Sequence, residues 1–194
     1  MPGATRPDAR SLPRLWLFSD QRMADEQLFA ALWRLPRGSG VVFRHYRLAA
    51  DRRLALLKRV RAIALRRGLV LLLSDPPAGV RADGVHRAAG RRGRTAAGLV
   101  SASAHDAPSL RRAFALGADI VFVSPLFPTR SHPGGRVLGP LRFGLMRRGA
   151  AGPVVALGGM DARRGRRLRA LGAHGYAGID CFAERNGTAK SGKA

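Results

Sequence analysis

The segment Asp119-Ile-Val-Phe-Val-Ser-Pro-Leu-Phe-Pro-Thr-Arg-Ser-His-Pro-Gly-Gly135 joins a buried strand to a loop that is rich in hydrogen-bond donors. The apolar run after Asp119 is typical of a strand that is covered on both faces. The loop then places hydroxyl, guanidinium and imidazole donors among prolines and glycines. Donors at the carboxyl end of a strand suit an anion such as phosphate. A surface loop without a ligand can have the same composition, so both interpretations stay open.

Seven other short apolar runs extend this pattern in both directions along the chain. They predict strands at 15–18, 41–43, 69–73, 83–86, 99–103, 153–157 and 174–179. Segments with helical spacing predict helices at 25–35, 51–67, 106–116, 137–148 and 161–171. Asp51 and Asp161 stand in N-cap positions, and Gly68 stands in a C-cap position. Strands that alternate with helices predict right-handed parallel crossovers, and eight of them predict an α/β (β/α)₈ TIM barrel.

The ends of the chain differ from its middle in composition. Residues 1–13 are expected to form a disordered lead, residues 14–184 the barrel and residues 185–194 a disordered tail. Because the tail lacks apolar periodicity, the eighth helix is expected to be stunted. A stunted helix would leave one flank of the barrel under-covered, which predicts a homodimer.

The lone Cys181 excludes an intramolecular disulfide and fits a reducing compartment. No apolar run approaches the roughly 20 residues of a membrane span, and the first 13 residues lack the apolar core of a secretion signal. These features predict a soluble cytoplasmic protein that does not bind membranes.

The formal net charge is +23, and nearly all of the excess is arginine. The arginines occur in pairs that are spread along the chain: 52–53, 66–67, 91–92, 111–112, 147–148, 163–164 and 166–167. A nucleic-acid-binding protein would concentrate this charge on one face, often with aromatic side chains. The spread favours a solvated outer surface, with nonspecific RNA binding at low salt and no specific nucleic-acid partner.

In a barrel of this kind the functional site lies at the carboxyl ends of the strands. The residues at those ends are Asp20, Arg44, Asp75, His86, Ser103, His105, Thr129, Ser131, His132, Gly158, Gly159 and Asp180. The loops after strands 7 and 8 are the usual phosphate seat of the fold, which gives Gly158, Gly159, Gly178 and Ile179 a phosphate-binding role. His86 and His105 are also explained as structural residues.

Four segments carry a family resemblance, in the order Ser103-Ala-His105, Leu116-Gly-Ala-Asp119, Pro125-Leu-Phe-Pro-Thr129 and Ala156-Leu-Gly-Gly159. Together they resemble thiamine phosphate synthase and its TenI relatives, over about residues 15–182. The resemblance implies a (β/α)₈ barrel that joins a hydroxymethylpyrimidine diphosphate to a thiazole phosphate, with Mg²⁺ and release of pyrophosphate. TenI-like members instead isomerise or bind thiazole phosphate.

The resemblance also implies roles for individual residues. Arg44 matches a diphosphate contact, and Ser103 matches a serine that touches the pyrimidine. Thr129 and Ser131 match the family's phosphate loop, in which His132 takes the place of a lysine. Arg44, Ser103 and His132 are therefore the expected catalytic residues.

The metal site of the family is only partly matched. Asp75 stands where the family has a Mg²⁺ ligand, but Ser74 replaces the neighbouring asparagine. The second aspartate is expected near Arg91, and no acidic residue occurs between 84 and 105. Arg91 and Arg130 could cover part of the diphosphate charge, since arginine makes bidentate phosphate contacts. Two alternatives therefore stay open: a weakened transferase, or a barrel that binds or tautomerises thiazole phosphate.

Overall fold

The computed structural model describes residues 8, 11–88, 90, 98–129 and 136–179. It contains eight strands, which are β1 (Leu15–Phe18), β2 (Gly40–Phe43), β3 (Val70–Ser74), β4 (Gly84–Arg87), β5 (Leu99–Ala104), β6 (Ile120–Val123), β7 (Val154–Leu157) and β8 (Gly175–Gly178). Each strand pairs in parallel with the next, and β8 pairs with β1, so the sheet is a closed barrel. The predicted (β/α)₈ architecture is confirmed.

Five helices cover the described part of the barrel, namely α1 (Asp25–Arg34), α2 (Ala50–Arg67), α3 (Ala107–Ala115), α4 (Gly139–Arg148) and α5 (Ala162–Arg169). Asp161 caps α5 as predicted, since its carboxylate accepts the Arg164 N–H at 2.8 Å. Gly68 ends α2 in the left-handed conformation, with φ of 61°. The prediction that Asp51 caps α2 is wrong, because Ala49 is the N-cap residue and Asp51 lies in the first turn. There its charge still favours the positive end of the helix dipole.

The link after β3 differs from the links that contain helices. In the described part of the chain, residues 75–83 form turns rather than a helix. Most of the predicted lead, the eighth helix and the tail lie outside the described residues, so the homodimer stays a prediction. The prediction of a disordered lead is wrong at its end, because Leu12 is 6% exposed and packs in the barrel interior. The Leu12 carbonyl also lies 3.1 Å from His174 Nε2. No helix in the described ranges is long and apolar enough to cross a membrane.

Alternate residues of the strands point into the barrel. The interior is filled by Trp16, Phe18, Val42, Leu72, Leu99, Ile120, Phe122, Val155 and Ala177. The Phe122 ring meets Trp16 edge-on at 5.2 Å and Phe18 at 4.8 Å between centroids. The barrel is therefore a packed core rather than a pore. Phe18 and Phe122 form the floor on which the residues at the carboxyl ends of the strands rest.

Candidate functional site

The register of the sheet brings polar residues from neighbouring strands to one level of the mouth. Ser74 pairs with His86, and His86 pairs with Ser101. Arg44 directly follows Phe43, which pairs with Leu73, so Arg44 stands beside Ser74. The other side of the mouth is apolar, because Leu157 of β7 and Ile179 after β8 pack on the interior cluster. The mouth thus has a polar half from β1–β5 and a more apolar half from β6–β8.

Arg44 lies over the barrel interior rather than in solvent. Its Nε donates to the Ser19 carbonyl at 3.1 Å, and its guanidinium carbon is 5.1 Å from the centre of the Phe18 ring. The pKa of Arg44 is lowered by burial, while Tyr46 and Asp20 oppose that shift. The cation is 3.4 Å from the Asp20 carboxylate, which Arg22 already binds at 2.7 and 3.0 Å. Arg44 therefore presents a partly desolvated positive charge whose carboxylate partner is shared.

Ser19 and His45 support Arg44, and the sequence analysis missed both of them. The Ser19 hydroxyl accepts the Arg44 backbone N–H at 3.0 Å and lies 3.0 Å from His45 Nδ1. The His45 ring stacks on Phe43 at 4.8 Å, and burial lowers its pKa. The sequence did offer one signal for Ser19 and His45, because each is a polar residue close to the end of an apolar strand.

His86 joins two serines of the neighbouring strand. Its Nδ1 lies 2.9 Å from the Ser101 hydroxyl, and its Nε2 lies 3.0 Å from the Ser103 hydroxyl. The ring also meets Phe18 edge-on at 5.2 Å. Because Phe18 contacts both His86 and Arg44, it connects the predicted pyrimidine-contacting serine with the predicted diphosphate contact. Arg44 and Ser103 are therefore linked through the buried rings of Phe18 and His86.

Asp75 stands at the end of β3 with an exposed carboxylate and a left-handed backbone, with φ of 52°. Behind it lies Arg53, whose guanidinium donates to the carbonyls of Ser74 and Asp75 at 2.7 and 2.8 Å. Arg53 is only 9% exposed, so the prediction of a solvated outer surface is wrong for this arginine. The aliphatic part of the Arg53 side chain lies on the apolar face of α2, and its guanidinium donates to backbone carbonyls. These acceptors come close to Arg53 only when the chain folds, so the sequence did not reveal them.

The loop after β6 packs tightly against the end of β7. The backbone N–H groups of Leu126 and Phe127 donate to the carbonyls of Leu157 and Gly158, at 3.0 and 3.1 Å. A Cβ on Gly158 would lie 2.9 Å from the Pro125 Cα, so this position needs glycine for its close contact as well as for its φ of 95°. Thr129, which is half-buried, ends the described part of this loop.

Gly159 is close to a cation that the sequence analysis did not place in the site. The Arg164 guanidinium donates to the Gly159 carbonyl and lies 4.5 Å from the centre of the Phe127 ring. Arg164 is in the first turn of α5, where backbone N–H groups already favour anions. Arg164 belongs to a dense run of arginines, so the sequence alone did not distinguish it from its neighbours as the cation close to Gly159.

The predicted site residues fall into three groups. Arg44 and Ser103 both lie on the polar half of the mouth, and Asp75 lies at the neighbouring strand end. Thr129, Gly158, Gly159, Gly178 and Ile179 belong to the ends of β6, β7 and β8. Arg91, Arg130, Ser131 and His132 lie outside the described residues, as does Asp180. The ligand roles of all these residues stay predictions.

The closed parallel barrel, with Arg44 and other polar residues of β1–β5 at the carboxyl ends of its strands, defines a (β/α)₈ barrel protein. Residues 15–182 match the family described as thiamine monophosphate synthase (TMP-TenI). A predicted thiamine-phosphate synthase of Aquifex aeolicus is 32% identical over 184 residues, which are 89% of this chain and 99% of that protein. The chain therefore belongs to the thiamine monophosphate synthase/TenI family.

Other comparisons agree with this assignment. A thiamine-phosphate synthase of Geobacillus thermodenitrificans is 31% identical over 148 residues, 70% of this chain and 66% of that protein. The solved thiamine phosphate pyrophosphorylase of Pyrococcus furiosus superposes with a TM-score of 0.75 and 22% identity, covering 91% of this chain and 90% of that one. At that identity the likeness shows the fold.

Proposed function

We propose that this chain joins a hydroxymethylpyrimidine diphosphate to a thiazole phosphate and releases pyrophosphate. The observation that carries the proposal is the series of contacts from Arg44 through Phe18 and His86 to Ser103. In the family resemblance, Arg44 matches the diphosphate contact and Ser103 matches the pyrimidine contact. Relatives named thiamine-phosphate synthase support the same reaction class.

The proposed reaction requires little acid–base catalysis by the protein. The bond between the pyrimidine methylene and the diphosphate oxygen breaks, and the electron pair leaves with pyrophosphate. The thiazole nitrogen then donates its lone pair to the cation-like methylene carbon, so no base has to remove a proton from that nitrogen. The protein must instead neutralise charge on the departing diphosphate, which is the type of electrostatic stabilisation that dominates such steps. Arg44, partly desolvated over Phe18, supplies that charge.

Mg²⁺, which the family uses, is poorly matched by the residues at the end of β3. One exposed carboxylate, Asp75, is present, and a neutral hydroxyl, Ser74, replaces the family's asparagine. The buried Arg53 cation donates to the Asp75 carbonyl at 2.8 Å, and a positive charge there disfavours a dication. Among the described residues, no three His, Cys, Asp or Glu side chains cluster as metal ligands. The proposed mechanism therefore has no step that depends on Mg²⁺.

A pyrophosphate-release assay with both heterocycles tests the proposal. We expect slow release that requires both substrates and that changes little when Mg²⁺ is removed by chelation. Absence of release with both substrates, in protein that is folded by circular dichroism, would contradict a transferase function. Release at the family's usual rate with full dependence on Mg²⁺ would contradict our interpretation of the β3 end.

The second candidate is a TenI-like barrel that binds or tautomerises thiazole phosphate. It is favoured by the same replacement at the β3 end, because a missing metal ligand damages the transfer reaction and leaves thiazole phosphate binding intact. Calorimetry with thiazole phosphate alone, followed by NMR of its two tautomers, separates the two candidates. Binding with tautomer exchange and no pyrophosphate release would support this second function.

A further inference from the structure

A chain of four hydrogen-bonding groups runs from the wall of the barrel to its mouth. The Ser101 hydroxyl donates to the Val85 carbonyl at 3.3 Å. The same hydroxyl is 2.9 Å from His86 Nδ1, and His86 Nε2 is 3.0 Å from the Ser103 hydroxyl. Ser101 is fully buried and His86 is 7% exposed, whereas Ser103 is half-buried at the mouth. Only the last group of the chain can meet a ligand.

The positions of the protons along this chain follow from the donors and acceptors. Burial lowers the pKa of His86 to about 3, so the ring is neutral and carries a single N–H at ordinary pH. The Ser101 hydrogen has two acceptors within reach, the Val85 carbonyl at 3.3 Å and His86 Nδ1 at 2.9 Å. Because the carbonyl can only accept, we assign the hydrogen to it, and the Ser101 oxygen then accepts a hydrogen from His86 Nδ1. His86 Nε2 is then unprotonated and accepts the hydrogen of the Ser103 hydroxyl. At the mouth, the Ser103 oxygen can therefore accept a hydrogen bond from a ligand but has no hydrogen to donate to it.

We propose that His86, held as the Nδ1–H tautomer by Ser101, fixes Ser103 as a hydrogen-bond acceptor, so that the site selects a heterocycle presenting an amino group over one presenting a carbonyl oxygen. The identity of the heterocycle as a pyrimidine rests on the proposed function. His86 is a positioning residue here, because it acts on the ligand through Ser103.

The selectivity has a direct physical cause. An amino group on the ligand donates to the Ser103 oxygen, whereas a carbonyl oxygen at the same place faces another lone pair. To bind a carbonyl, the Ser103 hydrogen would have to leave His86, and a buried ring nitrogen would lose its partner. The amino compound should therefore bind roughly tenfold tighter, which corresponds to about 1.4 kcal/mol and is of the size expected for one lost hydrogen bond.

NMR of the ¹⁵N-labelled protein tests the tautomer without any ligand. Long-range proton–nitrogen correlations distinguish a protonated Nδ1 from a protonated Nε2, and loss of the signals in His86→Asn assigns them. We expect the Nδ1–H form in the wild type and in Ser101→Thr, which keeps the hydroxyl. In Ser101→Ala the Nδ1–H loses its acceptor, and the Nε2–H form should increase. A wild-type ring that is mainly Nε2–H would overturn the inference, whatever the variants do.

Calorimetry without the thiazole partner tests the selectivity. The probes are hydroxymethylpyrimidine diphosphate, which carries a ring amino group, and its analogue with an oxo group in that place. We expect about tenfold tighter binding of the amino compound to the wild type and to Ser101→Thr, and a much smaller preference in Ser101→Ala. Equal affinities in the wild type would overturn the inference. Binding of neither probe would contradict the proposed function, and the NMR result would decide the tautomer independently.

Discussion

At the residue scale, the proposed function assigns Arg44 as the main cation for the departing diphosphate. Its Nε is held by the Ser19 carbonyl at 3.1 Å, and its carboxylate partner Asp20 is engaged more closely by Arg22. We expect Arg44→Ala to lower kcat for pyrophosphate release by about a hundredfold or more, as for loss of other groups that stabilise developing charge. The kcat of Arg44→Lys should lie between those of the wild type and Arg44→Ala, because lysine keeps the positive charge but lacks the planar, forked donors of a guanidinium. Unchanged turnover of Arg44→Ala in steady-state assays would remove Arg44 from the catalytic step.

His86 also predicts how the stability of the protein depends on pH. The unfolded chain protonates this histidine near its ordinary pKa of 6.5, whereas the folded chain does so only near 3. Because the unfolded state binds more protons in between, the contribution to stability is full above pH 6.5 and is lost as the pH falls towards 3. His86→Gln should show a shallower loss of unfolding free energy in urea over that range. Since His45 and His174 are present in both proteins, parallel slopes would contradict the buried neutral state of His86.

Arg52 and Arg53 are adjacent, and the sequence analysis placed both on the solvated surface, although helical spacing puts Arg53 on the face of Leu57 and Val60. In the structure Arg53 donates to two carbonyls at the end of β3, while the exposed Arg52 pairs with Asp25 at 2.6 Å. We expect Arg53→Met to lower the free energy of unfolding by about 1–3 kcal/mol, because two backbone acceptors lose their charged donor. The matched change Arg52→Met should cost well under about 1 kcal/mol, as surface ion pairs do. Chemical denaturation of both variants measures the difference, and equal losses would refute it.

At the element scale, the contact between the β6 loop and the end of β7 depends on glycine. Gly158 and Gly117 both have left-handed backbones, with φ of 95° and 86°. A Cβ at Gly158 would meet the Pro125 Cα at 2.9 Å, whereas a Cβ at Gly117 would meet no atom within 4 Å. Gly117→Ala should therefore cost about 1–2 kcal/mol for its backbone alone, and Gly158→Ala clearly more. Thermal unfolding compares them, and similar Tm losses would show that the loop yields easily.

The sequence predicted the strands better than the loops for a physical reason. A strand buried on both faces, such as β6, requires a continuous apolar run, which one can see without knowing its neighbours. The close contact of Gly158 with Pro125 joins residues that are far apart in sequence, and glycine has other uses in loops. The same limit applied to the site, where Arg44 was visible as a polar strand end and its support by Ser19 and His45 was not.

At the scale of the whole molecule, closure of the barrel brings strand ends that are far apart in sequence together at one mouth. The periodicity of the chain predicted eight strands, and parallel crossovers then required their carboxyl ends to meet. The division of that mouth into a polar half and an apolar half was not predicted. It depends on the register that sets Ser74 beside His86 and on the interior position of Leu157.

Acidic residues, unlike arginines, are unevenly distributed along the chain. Residues 120–179 contain ten arginines and a single acidic residue, Asp161, and α5 alone contributes five of those arginines. Single-stranded RNA should therefore bind, with an affinity that falls steeply with salt because each phosphate contact releases a counterion. Thiazole phosphate is a single small anion, and if it binds in the predicted phosphate seat its affinity should change much less between low and physiological salt.

Fluorescence anisotropy with a random-sequence RNA and calorimetry with thiazole phosphate measure these two dependences in the same buffers. Replacing the exposed Arg163 and Arg167 of α5 by glutamine should reduce the salt slope for RNA by about one to two units. The double variant should leave thiazole phosphate binding unchanged, because the cation beside the predicted phosphate seat is Arg164. A sequence-selective RNA affinity that survives physiological salt would contradict our interpretation of the arginines as a solvated surface. A thiazole phosphate affinity that falls as steeply as the RNA affinity would show that no shaped phosphate seat exists at this mouth.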